Sequence, residues 1–263
     1  MSTTFADRYE TTLVPVIFRP WAQELIRRAA PRTGEHVLDL ACGTGAVSQE
    51  LLRAGVEPGS LTGADISAGM LAVARRKAEE AGIASDWVEA EAGQLPFVEG
   101  RFDLAFCQQA LQFFPDRPAA LRELRRVLRP GGRVAFCVST DLEKNPLLVA
   151  QAATLDTHAG PDAGAAVRAI CGLPDGAEIG ALFEGAGFED VAVEEVSLEL
   201  VHPDGRAFAA GALGGMHTGD KLSRMSDAER ERCIDDFLTA LGPCFDGTAL
   251  RFPHVSNVVT ARA

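Results

Sequence analysis

The chain has little of what many functions need. Among its 263 residues are one tyrosine, Tyr9, two tryptophans and five histidines. Proton transfer by histidine or tyrosine therefore has few groups to draw on. His36, His202 and His254 border strand-like runs, which leaves His158, His217 and Tyr9 as the catalytic candidates. Basic residues are outnumbered: 25 Lys and Arg against 37 Asp and Glu give a formal net charge of -12. Such a chain repels phosphate backbones, which argues against a nucleic-acid partner. The densest basic run, LRELRRVLRP (121–130), reads as the solvent face of a helix. Cys42, Cys107, Cys137, Cys171, Cys233 and Cys244 include no C-x-x-C pair, so neither a zinc site nor a dithiol motif is expected, and no metal. No apolar run is long enough to span a bilayer, and MSTTFADRYE lacks a basic-then-apolar leader pattern. The expectation is a reduced, cytoplasmic protein without a membrane span.

What is present is ordinary for a globular chain: 47% hydrophobic and 24% charged residues, enough to bury a core without staples. Short apolar runs alternate with helical spacing. EHVLDLA (35–41), SLTGADI (60–66), SDWVEAE (85–91), RFDLAFCQQ (101–109) and RVAFCVS (133–139) have strand length. Between them, AVSQELLRAG (46–55) ends on a glycine, and SAGMLAVARRKAEEAG (67–82) runs from a Ser N-cap to Gly82. Met70, Val73, Ala74, Ala78 and Ala81 are placed on the inner face of that second helix. A helix near 117–129 stops at RPGG (129–132). This alternation predicts βαβ units and a parallel sheet buried on both faces. Residues 15–30 read as one or two helices with Pro20 at a boundary. Beyond 140, helices are expected at 145–160, 176–188, near 204–213 and 227–241, with strands at 189–201 and 251–263.

VLDLACGTG (37–45) closes the first strand on a glycine loop. That loop lies where open parallel sheets bind ligands, beyond the carboxyl ends of the strands. Gly43 and Gly45 permit a tight turn and close approach, and the next helix aims free N–H groups at an anionic group. A tight turn without a ligand is the alternative. Asp65 ends the second strand about 20 residues past Gly45, the spacing at which an acid accepts ribose hydroxyls; alternatively it is a helix N-terminal acid. The dinucleotide fingerprint needs a third glycine, and Ser48 stands there. Asp39, four residues before Gly43, would repel a pyrophosphate and suits the ammonium of an amino acid.

At this point the chain resembles the class I S-adenosylmethionine-dependent methyltransferases of small-molecule type, in particular the ubiquinone/menaquinone-methyltransferase-like family. VLDLACGTG looks like their first motif and GADIS like their second-strand acid. EAEAGQLPF (89–97) is similar to their adenine segment, while FDLAFCQQALQFFPD (102–116) and LRELRRVLRPGGRVAF (121–136) match the fourth strand through the fifth. The resemblance covers 35–140 closely. It implies an α/β fold: a Rossmann-like, doubly wound, mostly parallel seven-stranded sheet with the last strand antiparallel, helices on both faces and helical cap insertions. It implies a single domain, 1–263, with an N-terminal helical cap (1–34), a cofactor-binding core (35–140), and a sheet-completing part with substrate-cap helices (141–263). A homodimer is compatible with it.

The resemblance also assigns the cofactor residues. Ala41, Gly43 and Gly45 line the methionyl part, with Asp39 favouring its ammonium. Asp65 binds the ribose; Ile66 and Met70 pack near the adenine. Glu91 stands where the family usually has Asp, and the Ala92 amide faces the ring. Gln108 and Gln109 lie near the sulfonium. Met70 reads equally as a core residue, Gln108 as a strand-end group and Glu91 as a solvated side chain. The implied activity is methyl transfer to oxygen or carbon of a small organic acceptor such as a quinone or secondary metabolite, driven mainly by proximity and alignment. The alternatives are a NAD-binding oxidoreductase and a cofactor-binding pseudoenzyme without transfer.

Overall fold

The computed structural model describes residues 5–215 and 225–263. A seven-stranded sheet runs in the order β3-β2-β1-β4-β5-β7-β6. Its strands are β1 (His36–Leu40), β2 (Ser60–Asp65), β3 (Asp86–Glu89), β4 (Phe102–Gln108), β5 (Leu128–Ser139), β6 (Glu189–His202) and β7 (Leu250–Arg262). The first five pair in parallel. β7, the last strand in the chain, is antiparallel to both β5 and β6 and inserts between them. This is the sheet expected from the sequence, and the crossover order puts β1 and β4 side by side at its middle.

The helices are α1 (Phe5–Arg8), a π-helical stretch (Tyr9–Phe18), α2 (Arg19–Ala29), α3 (Ala46–Arg53), α4 (Ala68–Glu80), α5 (Arg117–Val127), α6 (Pro146–Ala159), α7 (Ala165–Arg168), α8 (Gly176–Gly185), α9 (Gly205–Gly215) and α10 (Asp227–Ala240). Strand side chains alternate between two cores, as a period of two requires. Val37, Leu104, Phe106, Ala135 and Cys137 join one buried cluster with Trp21 and Leu25 of α2 and Leu51 of α3. Leu38, Ala105, Cys107, Val134 and Phe136 join the other with Leu121 and Leu124 of α5 and Phe183 of α8. Burial on both faces explains why these strands read as continuous apolar runs. All six cysteines are free, and five are buried. Among the described residues no helix is long and apolar enough to cross a membrane.

Local chemistry sets most boundaries. The Ser67 hydroxyl accepts from the Met70 amide at 3.3 Å and starts α4; Asp116 accepts from the Ala119 amide at 2.8 Å and starts α5. Three expectations need correction. On α4 the inner face is Leu71, Val73, Ala74 and Ala78; Met70 is half-buried and Ala81 exposed, because the helix is rotated so that Leu71 takes the core. The RPGG turn falls inside β5 rather than ending a helix at 129, with the register shifting between Phe102 and Leu104. The N-terminal segment is already helical at Phe5, ahead of Pro15, and runs through Pro15 as a π-helix.

Candidate functional site

The carboxyl ends of β1, β2 and β4 open into a cavity of about 510 Å³ lined by Ala41, Asp65, Ile66, Glu91 and Ala92, with Phe113 and Phe114 from the segment after β4. Backbone strain is present at two of these strand ends. Ala41 and Gln109, neither a glycine, have φ of 53° and 54°, a left-handed conformation that such residues hold only when their surroundings impose it. Gly43 and Gly45 share that region with φ of 55° and 82°, where glycine carries no Cβ penalty.

Asp65 is held from both sides. Its Oδ2 accepts from the Gly43 amide at 2.8 Å and its Oδ1 from the Ser67 amide at 2.8 Å. An ionised carboxylate has about four acceptor positions, so two are taken and two remain for hydroxyl groups. Both roles weighed for Asp65, helix-terminal acid and acceptor in the cleft, are thus open to it at once. Beside it Ile66 is 71% exposed and Phe113 44% exposed. Two large apolar side chains left in solvent at one cavity are suited to a flat ring. Glu91 is an exposed carboxylate on the same lining, and Ala92 is half-buried.

Asp39 lies beneath the loop, 1% exposed. Its Oδ2 accepts from the Ser48 hydroxyl at 2.8 Å and the Ser48 amide at 3.2 Å. Burial pushes this carboxyl up to about 7; the two Ser48 hydrogen bonds oppose the rise, and the charge of Asp65 adds to it. Ser48, at the place of the third fingerprint glycine, therefore ties α3 to β1 through a side chain. Trp87 on β3 packs its ring under the same loop: a Cβ added at Gly45 would stand 2.7 Å from Trp87 Cη2, and one at Gly63 would overlap Cε3 and Cζ3.

Tyr9, on the π-helical stretch, stands over the loop, its hydroxyl 3.9 Å from where a Cβ on Gly43 would lie. Burial pushes that hydroxyl well above the usual range, and the carboxylates of Asp65, Glu10 and Asp39 push it further. Tyr9 is thus held neutral, a hydrogen-bond donor rather than a base at neutral pH. Ion pairs between Asp7 and Arg76 at 2.7 Å and between Glu10 and Lys77 at 3.3 Å fasten this segment to α4.

The remaining sequence-derived residues fall elsewhere. Gln108 Nε2 donates to the Phe18 carbonyl at 2.6 Å. The Gln109 amide is drawn toward β5 and β7: its Oε1 accepts from the Ser139 amide and hydroxyl, each at 2.9 Å, and its Nε2 donates to the Ser256 hydroxyl at 2.8 Å. Neither glutamine lines the cavity, nor do Met70, Asp39, Gly43 and Gly45. His158 pairs with Asp236 at 2.8 Å, bridging α6 and α10. His217 lies outside the described residues. His254 is buried and accepts from Trp21 Nε1 at 2.9 Å. Sequence reasoning missed Phe113 and Phe114, although QFFPD, two aromatics between a strand end and a Pro-Asp helix start, marks a loop with exposed apolar groups. Among the described residues no three potential metal ligands cluster.

Residues 37–132 match a family model described as a methyltransferase domain. A 2-phytyl-1,4-naphtoquinone methyltransferase of Synechococcus elongatus is 35% identical over 122 residues, 46% of this chain and 52% of that protein. A demethylmenaquinone methyltransferase of Lactiplantibacillus plantarum is 34% identical over 144 residues, 54% of this chain and 60% of that protein. The chain spans about half the length of the curated relatives it matches. Among solved structures, Haemonchus contortus phosphoethanolamine N-methyltransferase 2, in complex with phosphomonomethylethanolamine and S-adenosylhomocysteine, is similar with a TM-score of 0.59 at 18% identity. That match covers 99% of this chain and 60% of the other, and is a likeness of fold.

Proposed function

We propose, from a core that matches a methyltransferase-domain model, that the chain moves a methyl group from S-adenosylmethionine to a small, flat organic acceptor of quinone-like type. The observation that carries the reading is Asp65 at the end of β2, oriented by two backbone amides with two acceptor positions to spare, beside the exposed Ile66 in one cavity. That combination suits an adenosine: a vicinal diol for the carboxylate, an apolar ring for Ile66 and Phe113, and Glu91 for an exocyclic amine. Asp39, Gly43 and Gly45 suit the amino-acid end, with neutral Tyr9 as a donor above them. These residues fit the group that the family uses.

When bound, that cofactor supplies an electrophilic methyl on a sulfonium. Transfer would exchange that methyl's C–S bond for a bond to acceptor carbon or oxygen, with the acceptor's proton released to solvent. A good neutral leaving group places most of the burden on alignment. The chain's own contribution is therefore positional. Asp65 fixes the ribose end, the π-helical segment and later helices exclude water, and no His need act as base. The relatives named for naphthoquinone and menaquinone methylation support a quinone-like acceptor.

Trp87, packed under Gly45, supplies the test. Its fluorescence should respond saturably to S-adenosylhomocysteine and not to NAD. Asp65→Ala should weaken that binding by roughly 1.5–3 kcal/mol, the range for hydrogen bonds to a charged group. A saturable response to NAD alone, or unchanged affinity in Asp65→Ala, would contradict the reading.

A further inference from the structure

Gln109 follows β4 in a conformation that a side chain resists, with φ of 54°. Its own hydrogen bonds hold it there. The backbone amide donates to the Cys137 carbonyl on β5 at 2.8 Å. Oε1 accepts from the Ser139 amide and hydroxyl, each at 2.9 Å, and Nε2 donates to the Ser256 hydroxyl at 2.8 Å. A backbone amide only donates, so the side-chain amide can face Ser139 in one orientation alone. Both serines are fully buried, Ser139 on β5 and Ser256 on β7. Three hydrogen bonds to buried groups thus grip a strained residue that itself lies outside the cavity of the candidate site.

What the strain secures lies one residue on. An extended residue in its place would carry β4 straight past the end of the sheet. The left-handed turn leads instead into Ala110 and the single helical turn Leu111–Phe113. Ala110, Phe113 and Phe114 line the cavity that Asp65, Ile66 and Glu91 also line. A further bond ties that turn to the same residue: Gln112 Nε2 donates to the Gln109 carbonyl at 3.2 Å. Backbone held in sparsely populated regions clusters at sites whose geometry depends on it.

We propose that Gln109 is a positioning residue for the methyl donor: its side chain, clamped between Ser139 and Ser256, holds the turn that sets Phe113 and Phe114 against the adenosine end. This rests on the methyl-transfer reading above. Gln109 itself touches no part of the donor. It fixes one wall of the site in advance, so that binding need not order residues 110–114.

Calorimetric titration of S-adenosylhomocysteine and of adenosine into the full chain tests it. Gln109→Ala loses the clamp but keeps a Cβ that resists the left-handed turn. It should bind both ligands about tenfold more weakly, the scale of one strained conformation. Gln109→Gly loses the same clamp without that resistance and should recover part of the affinity. Ser256→Ala removes one bond of the clamp and should weaken both ligands by a smaller factor; it decides if neither Gln109 variant folds, judged by circular dichroism. A side chain that merely braced β4, β5 and β7 would lower the urea midpoint and leave both affinities unchanged. Unchanged affinities in a folded variant, or binding by Gln109→Gly no tighter than by Gln109→Ala, overturn the proposal. A wild type that binds neither ligand overturns the methyl-transfer reading, and this proposal with it.

Discussion

Asp39 and His254 are both buried, and burial suppresses the charge that each would carry in water. The carboxyl of Asp39 is pushed from 3.8 up to about 7, and the imidazole of His254 is held down from 6.5 to about 4 by desolvation. Their effects on stability have opposite signs. Asp39 destabilises the fold progressively as pH rises from about 4 to about 7, because the unfolded chain gives up that proton first. His254 destabilises it as pH falls from about 6.5 toward about 4, because the unfolded chain takes up the proton first. Asp39→Asn keeps an oxygen for Ser48 and removes the first effect. Its stability relative to wild type should therefore rise with pH between about 4 and about 7, by at most about 1.4 kcal/mol per pH unit, and level off above. Urea unfolding across that range checks it. The placement of Asp39 and Asp65 on strands and of the glycines in the loop between was legible in the sequence because residue types and spacing mark strand ends and turns. The orientation of Met70 and Gln109 was not: which way a side chain turns at a helix start or strand end is decided by the Ser67 cap and by hydrogen bonds to Ser139 and Ser256 on distant strands.

The glycine loop is shaped by an element that no loop motif includes. β3 is a strand of only four residues, yet its Trp87 fills the space left by Gly63 on β2 and by Gly45 in the loop. An aromatic ring cannot yield as a flexible side chain would. Gly63→Ala should therefore destabilise the fold by roughly 1–3 kcal/mol, the usual range for overpacking. Trp87→Leu in the same chain should recover most of that loss, a coupling that a double-mutant cycle by urea denaturation measures. Strands and helices from 35 to 140 were readable because the apolar period switches cleanly between two and 3.6. The N-terminal segment was harder to read. Pro15 looks like a helix breaker, but the π-helical stretch from Tyr9 to Phe18 carries it. Its ties are tertiary: ion pairs to Arg76 and Lys77 on α4 and close packing of Thr12 on Gly211 of α9.

At the scale of the whole molecule, the sheet order brings residues far apart in sequence to one end of the fold. Asp65, Ile66 and Glu91 share a cavity with Phe113 because β3, β2, β1 and β4 are successive neighbours. The doubly wound sheet with its last strand antiparallel followed from the resemblance, since alternation alone yields a parallel sheet without its crossover. The part of the molecule proposed to cap the acceptor lies beyond the matched residues 37–132, in α6, α9, α10 and the N-terminal segment. There the sequence shows apolar helices but not their partners: the hydrogen bond from Gln151 on α6 to the Ala212 carbonyl on α9 joins elements that no motif pairs.

The central claim, methyl transfer from S-adenosylmethionine, is tested most directly by following a methyl label. The full chain is incubated with methyl-labelled S-adenosylmethionine and a panel of naphthalene and benzene hydroquinones. The account predicts label in an organic-extractable product, with one S-adenosylhomocysteine formed per methyl transferred and both lost in Asp65→Ala. Cofactor binding without label in any acceptor would contradict it and leave a binding protein.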